Sequence, residues 1–218
     1  MMVTTGLGEP PEDLAGFPAA GPAAQLHRLS DHPGVWWFSS PDAAGEAAGD
    51  AAGGRFDLAR PRGTCYLAEG SLDGALVEKL LRTPVKVVVH ERLHELLHAT
   101  ITVIESPVTA DLTAAAATGF GLNAEMHHTL DYGVTRRWAR ALFDAGWRAM
   151  RHRLRGDVTG DLAGRCLFGG AGLHHRAPAG MRTHVAPLDV PDAIRRLEAR
   201  GVAVRPIPRT VPITPPPT

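Results

Sequence analysis

Strand-like and helix-like stretches follow one another in this sequence without strict alternation, and this order constrains the fold more than any other feature. Alternating or β-branched runs occur at residues 24–29, 35–39, 63–67, 100–105, 148–152 and 165–168. Helical periodicity covers 71–81, 91–98, 135–145 and 191–200, with Ser71 and Thr135 placed to cap and Pro191 in a first turn. A doubly wound parallel sheet needs a helix after each strand, so it is disfavoured. The pattern predicts an α+β fold: a single domain of mixed sheets with flanking helices.

The chain of 218 residues suits one domain over residues 25–205. A flexible lead-in rich in Gly, Pro and Ala is expected at 1–24. The tail at 206–218 holds six prolines in thirteen residues and is expected to be disordered, and 41–54 reads as a surface loop. With 23 basic and 23 acidic side chains, nothing favours nucleic acid or a membrane surface as partner. No apolar run approaches the ~20 residues that span a bilayer. Without a recognisable signal segment, and with Cys65 and Cys166 in apolar surroundings, the expectation is a reduced, cytoplasmic protein.

The segment from Gly54 to Glu78 carries the chemistry. It sets Arg55, Tyr66 and Glu78 at intervals of 11 and 12 residues on three successive pieces of structure. Arg55 can fork two hydrogen bonds onto a phosphate. Tyr66 offers a flat face to a base or a nicotinamide ring. Glu78 can hold ribose hydroxyls and stabilise positive charge at an anomeric carbon. Together they suit a dinucleotide with a scissile glycosidic bond. On a helical wheel Glu78 falls between Ala75 and Leu81, one turn beyond Gly74, which leaves room for something to approach. The plainer alternative is a helix-end glutamate paired with a lysine or arginine.

A competing signal is His90-Glu91-Arg92-Leu93-His94, an HExxH pattern in which His90 and His94 would hold zinc and Glu91 would activate water. A third ligand must come from Glu105 or Glu125, and Arg92 and Glu95 interrupt the motif. The simpler reading is a surface amphipathic helix that buries Leu93, Leu96 and Leu97. No metal is expected on that reading. The pairs His127-His128 and His174-His175 diverge on either a helix or a strand.

Further fragments accompany the trio: Leu26-His27-Arg28-Leu29, Trp37-Phe38-Ser39-Ser40, Gly54-Arg55-Phe56-Asp57, Gly63-Thr64-Cys65-Tyr66-Leu67-Ala68 and Ala75-Leu76-Val77-Glu78. Asp111-Leu112-Thr113, Asp131-Tyr132 and Thr135-Arg136-Arg137-Trp138-Ala139 follow, up to Ala145-Gly146. In order and spacing they resemble the RES-domain family, NAD-degrading toxins of bacterial toxin–antitoxin pairs with an ADP-ribosyltransferase-like fold. The resemblance spans residues 26–170. It implies NAD as substrate with no cofactor required, and cleavage of the nicotinamide–ribose bond with water or phosphate as acceptor. It also implies catalytic roles for Arg55, Tyr66 and Glu78, with Arg28, Ser39 and Gly74 beside the substrate. Dimerisation and a helix-turn-helix antitoxin follow from it as well. The family's late segment, Gly-aliphatic-Arg-aromatic-x-Ser-Arg, corresponds here to Ala149-Met150-Arg151-His152-Arg153-Leu154-Arg155, so Leu154 stands where the family has serine. That departure points to weakened substrate positioning, a changed acceptor, or an NAD- or nucleotide-binding protein without cleavage, with Thr159 the nearest substitute hydroxyl.

Overall fold

The computed structural model describes residues 6–41, 53–81 and 87–207. In chain order the elements are β1 (Gln25–Ser30), β2 (Trp36–Phe38), β3 (Arg62–Glu69), α1 (Leu72–Leu80), β4 (Val87–Val89), α2 (His90–His94), β5 (Leu97–Val103) and β6 (Thr109–Asp111). After a 3₁₀ turn at Ala115–Phe120 come α3 (Glu125–His128), α4 (Tyr132–Asp144), β7 (Ala149–Arg153), β8 (Ala163–Gly170), β9 (Gly172–His174), β10 (Met181–Pro187), α5 (Val190–Ala199) and β11 (Ala203–Arg205). Seven strands form one sheet in the order β10-β5-β1-β3-β8-β7-β6, while β2 pairs with β9 and β4 with β11. The large sheet is antiparallel except for the β6–β7 pair, and β4–β11 is parallel. This is the expected α+β class, one mixed-sheet domain with flanking helices. No helix among the described residues is long and apolar enough to cross a membrane.

The core lies on both faces of the sheet. Leu29, Leu76, Leu93 and Leu197 pack under α1 and α5. Around α4 lie Phe56, Met126, Trp138 and Leu142, and a third cluster joins Trp36, Phe38, Leu67 and Ile101. Burying each such side chain contributes on the order of 1.5–3 kcal/mol.

Several expectations need correction. The helix expected at 91–98 stops at His94, because Leu97–Val103 enters the sheet. There it pairs with all of β1 and β10, and hydrogen-bonded strand pairing outweighs a short helical period. Thr135 does not cap α4. The helix starts a turn earlier, where the Asp131 carboxylate accepts from Gly133 N and Val134 N. Thr135 is buried and donates its hydroxyl to the Arg55 carbonyl at 2.5 Å. Ser71 occupies the cap position of α1 without a side-chain cap bond among the described residues. The lead-in is packed from Gly6 onward: Leu14 and Phe17 are buried, and Asp111 N donates to Pro18 O and Ala20 N to Thr109 O, both at 2.8 Å. Most of the loop expected at 41–54, and the tail from 208, lie outside the described residues.

The feature that positions the site is a break in pairing. β3 pairs with β8 from Arg62↔Gly170 to Ala68↔Gly164. Among the described residues it pairs with β1 at two positions, Leu26↔Glu69 and His27↔Ala68. Beyond His27, β1 stays with β5 as far as Ser30↔Leu97. The sheet therefore opens between β1 and β3. At the far end of the opening Ser39, just after β2, takes up the β3 edge through reciprocal backbone bonds with Thr64 (2.9 and 2.7 Å).

Candidate functional site

A cleft of about 440 Å³ occupies the opening. Arg28 borders it from β1, Trp37 and Ser39 from β2 and its end, Tyr66 from β3, Glu78 and Lys79 from α1. A second hollow of about 70 Å³ continues from it, sharing Gly53, Gly54, Tyr66 and Glu78 and extending to Arg55, Tyr132 and Arg155. Tyr66 and Glu78 thus stand at the junction of a wide and a narrow chamber.

Asp57 organises the floor. The turn Gly54–Asp57 is closed by Asp57 N donating to Gly54 O at 3.3 Å and Gly54 N to Asp57 Oδ2 at 2.6 Å. The same carboxylate accepts from the Ser39 hydroxyl at 2.7 Å and from the Tyr66 hydroxyl at 2.8 Å. Tyr66 also accepts from Phe56 N at 2.8 Å. Burial, and then the Asp57 charge, push the Tyr66 phenol well above its ordinary pKa. It stays neutral with its hydroxyl engaged, so the ring is what it can offer to a ligand. A Cβ at Gly54 would lie 2.1 Å from the Tyr66 hydroxyl oxygen, so only glycine lets the turn close over the ring.

Arg55 borders the narrow chamber, but the residue is 7% exposed and its guanidinium faces protein carbonyls. Nη1 donates to His127 O, and Nη2 to Arg153 O at 3.3 Å, with His152 Nδ1 also at 3.3 Å. Burial lowers its pKa and the Glu78 charge opposes that shift. The fork expected for a phosphate is therefore taken up inside the protein. Arg28 makes two protein bonds, to Trp37 O at 3.2 Å and to Cys65 Sγ, both from Nη1. Cys65 and Cys166 are free and buried.

Gly74 does not open space toward the cleft. A Cβ there would lie 2.8 Å from Ala68 Cβ and 3.3 Å from Leu154 Cδ1, so this glycine brings α1 down onto β3. Leu154 is 1% exposed and belongs to the core beneath α1, with Cδ2 packed at 2.7 Å from the Cβ position of Gly164. The departure from serine falls on a packing position. Thr159 donates its hydroxyl to Asp157 Oδ1 at 2.9 Å.

His90 and His94 do face each other, with ring centroids 4.9 Å apart. No third His, Cys, Asp or Glu among the described residues joins them into a metal-holding group. Glu91 is engaged with Ile207 N at 3.0 Å.

Several residues at the site had no role assigned from sequence, among them His27, Trp37, Asp57, Lys79, Tyr132 and Arg155. Lys79 pairs with Asp31. Arg155 donates to Tyr132 Oη at 2.7 Å and Thr129 O at 2.6 Å, while its buried Nε has no partner among the described residues. Asp57 closes a motif already quoted, and an aspartate three residues after a glycine is a recognisable turn signal. Arg155 matches the closing arginine of the late family segment quoted for Leu154, and that match was the signal. A somewhat larger hollow of about 530 Å³ lies near Phe38, Arg148 and Met181, but it lacks the convergence of carboxylate, phenol and arginine found in the split.

A family model described as the RES domain matches residues 11–154. Among solved structures, a chain of the M. tuberculosis MbcT–MbcA toxin–antitoxin complex superposes with a TM-score of 0.53 at 17% identity, over 83% of this chain and 92% of that one. At that identity the likeness shows a shared fold. No curated protein matches the chain.

Proposed function

The chain belongs to the RES-domain family, and from this premise we propose that it consumes NAD by cleaving the nicotinamide–ribose bond in the cleft between β1 and β3, as a toxin-type enzyme. The observation that carries the reading is that Glu78, Tyr66 and Arg28, three of the residues singled out from sequence, border one cleft at a sheet break. Nicotinamide in NAD is already cationic and leaves without an acid. The C1′–N bond breaks, its electron pair stays on the ring nitrogen, and water or phosphate takes the anomeric carbon. The protein must hold the dinucleotide, stabilise the ribosyl cation and admit the acceptor. Glu78, at the junction of the chambers, holds the ribose and faces the developing positive charge. The Tyr66 ring packs on nicotinamide. Arg28, engaged among the described residues through Nη1, is the cation for the pyrophosphate. Arg55 acts from beneath, its buried charge fixing the potential around Glu78.

The toxin–antitoxin neighbour supports an antitoxin as partner; its helix-turn-helix type, and a dimeric enzyme, are what the family resemblance implies. Gel filtration alone and with the co-expressed antitoxin checks both. The primary test is nicotinamide release from NAD by the purified protein, with Glu78→Ala alongside. Release that disappears in the variant supports cleavage here. Undiminished release in Glu78→Ala ends the proposal. NAD-dependent thermal stabilisation without release makes the protein a binder.

A further inference from the structure

We propose that the wide chamber contains an adenine subsite in which the base stacks on Trp37 and bonds to a ring nitrogen of His27. This rests on the NAD reading and assigns one end of the dinucleotide to one end of the cleft. Trp37 and His27 border only the wide chamber, whereas Glu78 and Tyr66 border both, which places the scissile bond at the junction. A water needs roughly 10–15 Å³ of such space, so the narrow chamber of about 70 Å³ has room for a single ring. A nucleoside fits only on the other side, in the 440 Å³.

The two side chains are built for a flat, polar-edged ligand. Along β2 the neighbours alternate: Trp36 is 3% and Phe38 5% exposed, while Trp37 between them is 50% exposed. The backbone that carries the ring is fixed, because the Trp37 carbonyl accepts from Arg28 Nη1 and the residue pairs with Leu173. An indole left half in water at the wall of a cleft gains by being covered with another ring. His27 is 7% exposed, and its Nδ1 lies 3.0 Å from His98 Nε2. Its Nε2 has no partner among the described residues. Nε2 is itself closed off from solvent, so a ligand reaches it only when the His27 ring turns toward the chamber it borders. The cost of an unpartnered buried ring nitrogen favours that turn. Burial first, then the neighbouring His98, lower the His27 pKa to about 4, so the ring is neutral. If His98 donates to Nδ1, the His27 proton sits on Nε2 and can be donated to an adenine ring nitrogen. In the opposite tautomer Nε2 accepts from the exocyclic amine. Adenine satisfies either.

The test uses two probes that divide the dinucleotide, adenosine 5′-monophosphate and nicotinamide mononucleotide, each titrated calorimetrically into the full-length protein. Stacking on an aromatic ring is worth about five- to a hundredfold in affinity. Trp37→Ala is therefore expected to weaken the adenosine probe at least fivefold and leave the nicotinamide probe unchanged, with Trp37→Phe restoring most of the loss. His27→Ala should weaken the adenosine probe too, and melting curves confirm that each variant is folded. Loss of less than fivefold in Trp37→Ala, equal loss of both probes, or no binding of the adenosine probe to wild type overturns the subsite. Neither probe requires turnover. Adenosine binding through Trp37 without nicotinamide release would sink the cleavage reading alone, and release with an unchanged KM in Trp37→Ala would sink the subsite alone.

Discussion

The two edges of β3 behave differently. Toward β8 it is zipped from Arg62 to Ala68, over Gly164 and Gly169, whose Cβ positions are filled by His152, Leu154 and Phe38. Toward β1 it holds at two positions and then lets go. The zipped edge sets β3 against Cys166 and Leu167 of the core strand β8, and the open edge leaves room for the cleft that Tyr66 lines. A strand pair that stays closed buries its backbone groups against each other. One that opens leaves a wedge into which polar side chains and a ligand fit. Pairing is thus concentrated on one edge of the strand and the proposed site lies along the other.

The sharpest way to break this division is at Glu78. Replacing it with glutamine should lower nicotinamide release about a thousandfold or more, some 4 kcal/mol of transition-state stabilisation, with a melting temperature near wild type. A large loss of stability in that variant would mean the open edge is structural after all. The converse holds at Leu154. Restoring the family serine there should cost about 2–4 kcal/mol of stability, since it removes buried methyls and adds a hydroxyl among leucines. In denaturant titrations the midpoint falls, while kcat of the folded protein stays the same. A rise in kcat would return residue 154 to the site.

Acid should find the open edge next. Unfolded His27 takes a proton near pH 6.5, but the folded ring refuses one until about 4. Between those values the unfolded state binds more protons, so stability is full above pH 6.5 and is lost as the pH falls toward 4. Buried His127, also lowered to about 4 by burial and then Arg55, adds in the same direction. The His27 share is up to about 2 kcal/mol at pH 5. Urea midpoints at pH 7 and pH 5 should show the decline, and His27→Gln should make it shallower. The smallest effect is expected at Arg28. Its change to alanine should raise KM for NAD about tenfold, or ~1.4 kcal/mol, with kcat little altered. An unchanged KM would remove Arg28 from the phosphate.

The β3–α1 unit was legible in the sequence almost to the residue, because a strand run, a Gly-Ser turn and an apolar helix face agree locally there. The opposite held for β10, whose side chains are mostly exposed on an edge strand ending in proline, so no alternating pattern marks it. Gly133 in the first turn of α4 hid that helix start, although Asp131 supplied the cap. At the site, side chains on neighbouring segments were readable, and contacts across the chain were not. The partners that fill the Arg55 fork lie 72 to 98 positions away. Leu154 misled for the same reason, since its burial depends on Gly74 and Gly164 coming together around it.

The most direct measurement is a crystal structure of the Glu78→Gln variant soaked with NAD. The dinucleotide should lie in the split between β1 and β3, its glycosidic carbon beside residue 78 and its phosphates within reach of Arg28. NAD bound in the hollow near Phe38, Arg148 and Met181, or an empty split at saturating NAD, would overturn the assignment of function to the open edge.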